Sequence, residues 1–233
     1  MSDRRRFIVA SLLTLVSSLV GPPAAATQNR PSNTSRNTPG PAEADSGTAH
    51  RSILVVGDSL SAEYGLPAGT GWVTHIDRHL EQHGTGYQIH NASISGDTTS
   101  GGVSRLPGEL DRSRPDIVII ELGANDALRG LSLDMARDNL AQMIEMSQQH
   151  GARVLLIGMQ IPPNYGKRYA DQFAALFPEL ATRYDTGLVP FMLDGFATDP
   201  DMFLDDGIHP NEAAQALIAE TVWSLLVSML DVQ

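Results

Sequence analysis

The 233-residue chain contains no cysteine. That excludes a cysteine nucleophile, thiolate metal ligation and disulfides, so stability has to come from core packing alone. Basic side chains are scarce: 16 Lys and Arg stand against 27 Asp and Glu, a net charge of −11. A nucleic-acid binder needs a basic footprint, and an anionic membrane surface repels such a chain, so neither is expected as a partner. No glycine-rich phosphate fingerprint opens the first helix, which disfavours a flavodoxin-like cofactor binder. What is present is ordinary for a soluble globular protein: 42% apolar residues, 14 prolines and a length that suits one domain with appendages.

The amino end has the three parts of a secretory signal peptide. Arg4-Arg5-Arg6 is followed by the apolar run Phe7 to Val20 and then by Pro22-Pro23-Ala24-Ala25-Ala26. The apolar run is short for a membrane span and carries three serines and a threonine. Cleavage is expected after Ala26, giving a periplasmic or secreted protein with no stable membrane span. It would move the net charge from −11 to −13 by removing three arginines and one aspartate. Residues 27–50 have almost no apolar side chain larger than alanine and read as a disordered tether. The folded domain is expected from Arg51 to near the carboxyl terminus.

Within it, short apolar runs alternate with segments of helical period. Ile53 to Val56 suits a strand buried on both faces, and Gly57 lets the chain turn out of it. Trp72, Val73, Ile76 and Leu80 predict a helix over Gly71 to about His83. A second strand is expected around Tyr87 to Ala92, and a short helix from Val103, Leu106 and Leu110. Asp116 to Leu122 is the clearest strand, Leu133 to His150 a long helix, and Ala152 to Met159 a fourth strand. Tyr169 to Tyr184 reads as a helix interrupted at Pro178. Leu188 to Phe191 reads as a brief fifth strand at a sheet edge, because of Pro190. A terminal helix is expected with Pro210 as its first residue and Ala213, Leu217, Val222, Leu225 and Met229 among its apolar positions. The alternation implies βαβ units and a mostly parallel sheet between helices, with the strand-exit loops gathered on one edge.

That edge collects the polar residues of interest. Ser59 follows the first strand, and a serine hydroxyl needs a base within hydrogen-bond reach to act as a nucleophile. Of the seven histidines only His209 falls in a loop expected at this rim; His75, His79, His83, His90 and His150 lie on or beside helices and strands. Asp206, three residues earlier, is placed for a tight turn to fold its carboxylate against the imidazole, holding Nδ1–H and leaving Nε2 for Ser59. Asp205 is the rival by sequence, and the offset favours Asp206. Asp58 reads as a turn-fixing residue rather than a base. The backbone N–H groups of Ser59 and Gly96, with the Asn125 amide, suit an oxyanion site. Asp199, Asp201, Asp205 and Asp206 are crowded, yet their spacing matches no calcium loop; no metal and no cofactor are expected.

Four blocks carry a resemblance: Gly57-Asp58-Ser59-Leu60-Ser61, Gly96 within Ser95 to Thr99, Gly123-Ala124-Asn125-Asp126, and Asp206-Gly207-Ile208-His209-Pro210. Together they resemble the signature blocks of the SGNH (GDSL) hydrolase superfamily. Within it the chain is similar to the bacterial periplasmic thioesterase/lysophospholipase/arylesterase group. Leu128-Arg129-Gly130 and Pro163-Asn164-Tyr165-Gly166 are also similar to that group. The resemblance implies a flavodoxin-like three-layer α/β/α sandwich with a central sheet of about five parallel strands. It implies Ser59 as nucleophile, Asp206 and His209 as its triad partners, and Gly96 and Asn125 as oxyanion donors. It further implies an enzyme acting on small-molecule or lipid esters, with thioesters as a second class, through an acyl-serine; a monomer is expected.

One position departs from that group. The usual Leu-Ser-Ala-Gly-Tyr is here Leu60-Ser61-Ala62-Glu63-Tyr64. Glu63 either points outward without effect or disfavours anionic leaving groups such as coenzyme A. For the acyl chain, Leu60, Ile94, Leu128, Ile161, Pro162, Tyr165 and Phe203 are candidate pocket residues. Two rival functions share the fold: a carbohydrate O-acetylesterase and a non-catalytic envelope binding module.

Overall fold

The computed structural model describes residues 51–231. The expected signal peptide and tether lie outside the described residues. Five strands form one sheet: β1 (Arg51–Gly57), β2 (Tyr87–Asn91), β3 (Ile117–Glu121), β4 (Arg153–Ile157) and β5 (Gly187–Val189). Their order is β2-β1-β3-β4-β5 and every pairing is parallel. β1 and β3 are central, with Val55 opposite Ile119 and Gly57 opposite Glu121. Ile53 to Val56 and Ile117 to Ile120 are completely buried, as a sheet covered on both faces requires.

Six helices cover the sheet: α1 (Trp72–Gln82), α2 (Thr99–Ser113), α3 (Ala124–Leu128), α4 (Leu133–Gln149), α5 (Lys167–Tyr184) and α6 (Glu212–Leu226). With the five-stranded parallel sheet they give the expected α/β/α sandwich. Among the described residues no helix is long and apolar enough to cross a membrane.

Helix α1 buries the expected Trp72, Val73, Ile76 and Leu80. Helix α2 is longer than its apolar pattern suggested. Its first turn holds Gly101 and Gly102, which give no periodic signal. The reason for Gly102 is close packing: a Cβ there would lie 2.5 Å from Leu122 Cδ1 and 2.7 Å from Met143 Sδ. Helix α5 runs through Pro178 without the expected interruption. Pro178 is on the exposed face, where the unmade hydrogen bond meets solvent. The opposite face is held by Phe173 and Phe177, packed edge to face with centroids 5.3 Å apart.

Strand β5 is at the sheet edge, as expected, and ends at Val189, just before Pro190. Helix α6 differs from expectation twice. Asn211, not Pro210, begins it, capping the amides of Ala213 and Ala214 with its side chain. Its buried stripe is Ala214, Ile218, Val222 and Leu226, whereas Leu217 and Leu225 are exposed. The helix is apolar nearly all round, so periodicity could not choose the face.

Candidate active site

The site is built at the carboxyl ends of β1 and β3. Gly57 closes β1 where no side chain fits, since a Cβ would lie 2.6 Å from Ser61 Oγ and 2.8 Å from Glu121 Oε2. The chain then curls tightly: the Asp58 carbonyl accepts from the Ser61 and Ala62 amides, and the Ser59 carbonyl from the Tyr64 amide. Ser59 is thereby held at the tip of the turn, its Oγ 2.8 Å from His209 Nε2.

His209 comes from the loop between β5 and α6, 150 residues away. That loop is pinned on itself. Phe203 and Pro210 form an antiparallel bridge, Leu204 N–H donates to the His209 carbonyl at 2.8 Å, and Asn211 N–H donates to the Met202 carbonyl at 2.9 Å. His209 Nδ1 lies 2.7 Å from Asp206 Oδ2, while Asp206 Oδ1 accepts from the backbone amides of Ile208 (2.9 Å) and His209 (3.0 Å). The three-residue offset thus folds the carboxylate onto the ring. Asp205 makes no hydrogen bond to the imidazole among the described residues. Partial burial pushes the Asp206 carboxyl up, but the two amides and the imidazole outweigh it and bring it down to about 2.

Gly96 and Asn125 sit beside this line. Gly96 adopts φ +79°, a left-handed conformation that favours glycine, and its carbonyl accepts from Arg129 Nη2 at 2.9 Å. Asn125 lies in the first turn of α3. Its Nδ2 donates to Asp58 Oδ2 at 2.9 Å, and its Oδ1 accepts from Arg129 Nη2 at 3.3 Å. The backbone N–H groups of Ser59 and Gly96 have no hydrogen-bond acceptor among the described residues.

Two carboxyl groups lie directly beneath. Asp58 is 1% exposed and Glu121 2%. Glu121 Oε2 accepts from Asp58 N–H (3.2 Å) and Ser61 Oγ–H (2.7 Å), and Asp58 Oδ1 accepts from Leu60 N–H (3.0 Å). Burial pushes Asp58 up to about 6 against the pull of its hydrogen bonds. Burial, then the neighbouring Asp58 charge, raises Glu121 well above the usual carboxylate range.

Glu63 resolves the open question about its direction. It adopts φ +56°, a region that favours glycine, and folds back on its own loop. Oε1 accepts from Gly71 N–H and Thr74 Oγ1–H, and Oε2 from Gly69 N–H. Partial burial works against its ionisation, but those donors and Arg78 hold its carboxyl below the ordinary value.

The seven candidate pocket residues divide. Leu60 and Ile161 are buried in the core, Leu128 and Phe203 are half-buried against it, and only Ile94, Pro162 and Tyr165 are exposed. None of them lines the cavity of about 420 Å³ between the Ser59 loop, α1 and the end of β2, which Ala62, Glu63, Thr74, Asp77 and Asn91 help to wall.

Sequence reasoning passed over three contributors. The Tyr64 ring packs on the His209 imidazole, Arg129 joins Gly96 to Asn125, and Glu121 supports the serine turn. A glutamate ending an otherwise wholly apolar buried strand was a readable signal for the last; Arg129 and Tyr64 lie in stretches noted for their resemblance, which gave neither of them a role.

Residues 55–217 match the GDSL-like Lipase/Acylhydrolase family. The chain is 46% identical over 182 residues to "Esterase TesA" of Pseudomonas aeruginosa, covering 78% of this chain and 90% of that protein. It is 39% identical over 168 residues to "Thioesterase 1/protease 1/lysophospholipase L1" of Escherichia coli K12, covering 72% of this chain and 79% of that protein. The crystal structure of TesA superposes with a TM-score of 0.76 at 46% identity, over 77% of this chain and all of the other. The chain belongs to the GDSL-like lipase/acylhydrolase family and is a serine ester hydrolase of the SGNH superfamily.

Proposed function

We propose that Ser59 is the nucleophile, His209 the general base and acid, and Asp206 the residue that fixes the imidazole tautomer. The supporting observation is the unbroken line Ser59 Oγ–His209 Nε2–Asp206 Oδ2, at 2.8 and 2.7 Å. As Ser59 Oγ bonds to the substrate carbonyl carbon, its proton passes to His209 Nε2. Negative charge then develops on the carbonyl oxygen, facing the free N–H groups of Ser59 and Gly96 and the remaining N–H of the Asn125 amide. The tetrahedral intermediate expels an alcohol, which takes the proton from His209. Water attacks the acyl-serine, gives its proton to His209, and the acid leaves as Ser59 recovers its hydrogen.

The substrates we assign are small-molecule and lipid carboxylic esters, with thioesters as a second class. Exposed Tyr64, Ile94, Tyr165 and Ile208, all on loops of the rim, favour apolar acyl or aryl groups. The name of the Escherichia coli relative includes thioesterase and lysophospholipase activities. We further assign the protein to the periplasm or the extracellular space, from the signal-like amino end, and take it to act as a monomer without metal or cofactor.

The test is labelling with serine-directed alkyl phosphonates of graded chain length, followed by peptide mass spectrometry. An adduct on Ser59, with Ser59→Ala inert towards aryl esters, is expected. An adduct on another serine overturns the assignment. The dependence of labelling rate on chain length would size the acyl site.

A further inference from the structure

We propose that Glu121 is a positioning residue for ester hydrolysis, whose buried carboxyl fixes the Ser59 turn and, through Asp58, the Asn125 amide. The inference rests on the reading of Ser59 as nucleophile and deepens it. Glu121 does not touch the reacting atoms. Its Oε2 grips the turn on both sides of Ser59, at Asp58 N–H and Ser61 Oγ–H. Asp58 in turn grips Leu60 N–H with one oxygen and Asn125 Nδ2–H with the other. A single chain of contacts therefore runs from the end of β3, under the nucleophile, to the residue that faces the developing oxyanion.

A carboxyl is a costly way to fill this space. A leucine or methionine would bury more favourably if packing were the whole purpose. No lysine or arginine forms an ion pair with either carboxyl among the described residues. Arg105, the cation that reaches this turn, donates to the Gly57 and Ala92 carbonyls and pairs with Asp97 at 2.7 Å. Besides Glu121 itself, the charged groups from other elements that act on Asp58 include His209 and Asp97. Two adjacent buried carboxyls resist being ionised together, so the pair retains a proton. With Glu121 neutral, Oε2 accepts from Asp58 N–H and Ser61 Oγ–H, and the acid proton remains for the Asp58 carboxylate. That state fixes Asp58 as an acceptor, so the Asn125 amide faces it nitrogen first.

Glutamine copies a neutral glutamic acid in shape, with one acceptor and one donor. Glu121→Gln and Glu121→Met are therefore compared with wild type by kcat and KM on 4-nitrophenyl butyrate across pH, and by the rate of phosphonate labelling. Glu121→Gln is expected to stay within about threefold of wild type at neutral pH. Glu121→Met should lose about 100-fold in kcat and labelling rate with KM nearly unchanged, as a misplaced constellation does. Wild-type kcat should fall as rising pH removes the shared proton, and Glu121→Gln should lack that fall. If Glu121→Met does not fold, the pH profiles decide. Wild-type kinetics in Glu121→Met, a loss confined to KM, or the same alkaline fall in Glu121→Gln as in wild type would overturn the proposal. Ser59→Ala separates the two levels: retained hydrolysis there sinks the nucleophile reading itself, whereas an inert Ser59→Ala beside an unaffected Glu121→Met sinks only this one.

Discussion

The Tyr64 ring lies against the imidazole of His209, with centroids 4.5 Å apart and planes inclined by 39°. Tyr64 itself is 51% exposed, so it shields one face of the His209 ring and presents its other side to solvent. The phenol hydroxyl has no hydrogen bond among the described residues, which leaves the ring as the working part. Tyr64→Phe should therefore keep kcat/KM for an aryl ester within about twofold. Tyr64→Ala should lose about tenfold, a loss of order 1 kcal/mol and typical of one aromatic contact. Steady-state kinetics on both variants check this, and an equal loss in both would shift the role to the hydroxyl.

The low value of Asp206, about 2, has a consequence for acid stability. A carboxylate whose proton affinity is depressed in the fold stabilises the fold above its unfolded value near 4. That stabilisation fades as pH falls through about 2. Asp206→Asn should be less stable than wild type at neutral pH, and the two should converge between about pH 4 and pH 2. Urea unfolding at a series of pH values measures the gap. At neutral pH the same substitution should lower kcat by about 10³- to 10⁴-fold, since asparagine no longer holds the productive tautomer.

Asp126 is a stability residue next to Asn125 in the first turn of α3. It is 4% exposed and accepts from Thr99 N–H at 2.9 Å and Thr99 Oγ1–H at 2.7 Å, fastening the start of α2 to the start of α3. Asp126→Ala strands both donors in the interior. A loss of about 3 kcal/mol in chemical denaturation is expected, well above that of a surface substitution.

Glu63 tests whether a negative charge beside the site governs the leaving group. Because the carboxylate is engaged by Gly69, Gly71 and Thr74, Glu63→Gly should change the ratio of butyryl-coenzyme A to aryl-ester kcat/KM by less than about threefold. The 64–71 loop should loosen instead, read as faster hydrogen exchange at the Gly69 and Gly71 amides. A large rise in thioester turnover would restore the electrostatic explanation.

The parallel strands and the rim were legible because buried parallel strands leave unmistakable apolar runs, and the βαβ rhythm then dictates where the loops gather. The order of the strands was not, since apolar runs do not say which neighbours pair. The meeting of Ser59, Asp206 and His209 could be anticipated because each lies in such a loop and each has a chemistry that suits the others. Pro178 misled, since a proline on a solvent-facing helix surface breaks nothing that the core needs. The α6 face was hidden for the opposite reason: with apolar side chains on every side, only tertiary contact chooses among them. Tyr64, Arg129 and the seven pocket candidates depend on side-chain direction within irregular loops, which no periodicity records. Glu63 was visible as an odd residue, but its left-handed backbone and inward hydrogen bonds exist only in three dimensions.

The Ser59 turn and the helix that carries Asn125 follow neighbouring strands of the sheet, while His209 arrives on the stretch before α6, itself packed on α1 and β5. A chain growing from its amino end therefore completes Ser59, Gly96 and Asn125 long before it has His209, the base proposed for Ser59. Until His209 is made, the polypeptide has the Ser59 hydroxyl without its proposed base. Hydrolysis in the proposed scheme switches on only when the His209 loop docks beside the Ser59 turn, so closing that contact is also the act of arming the site.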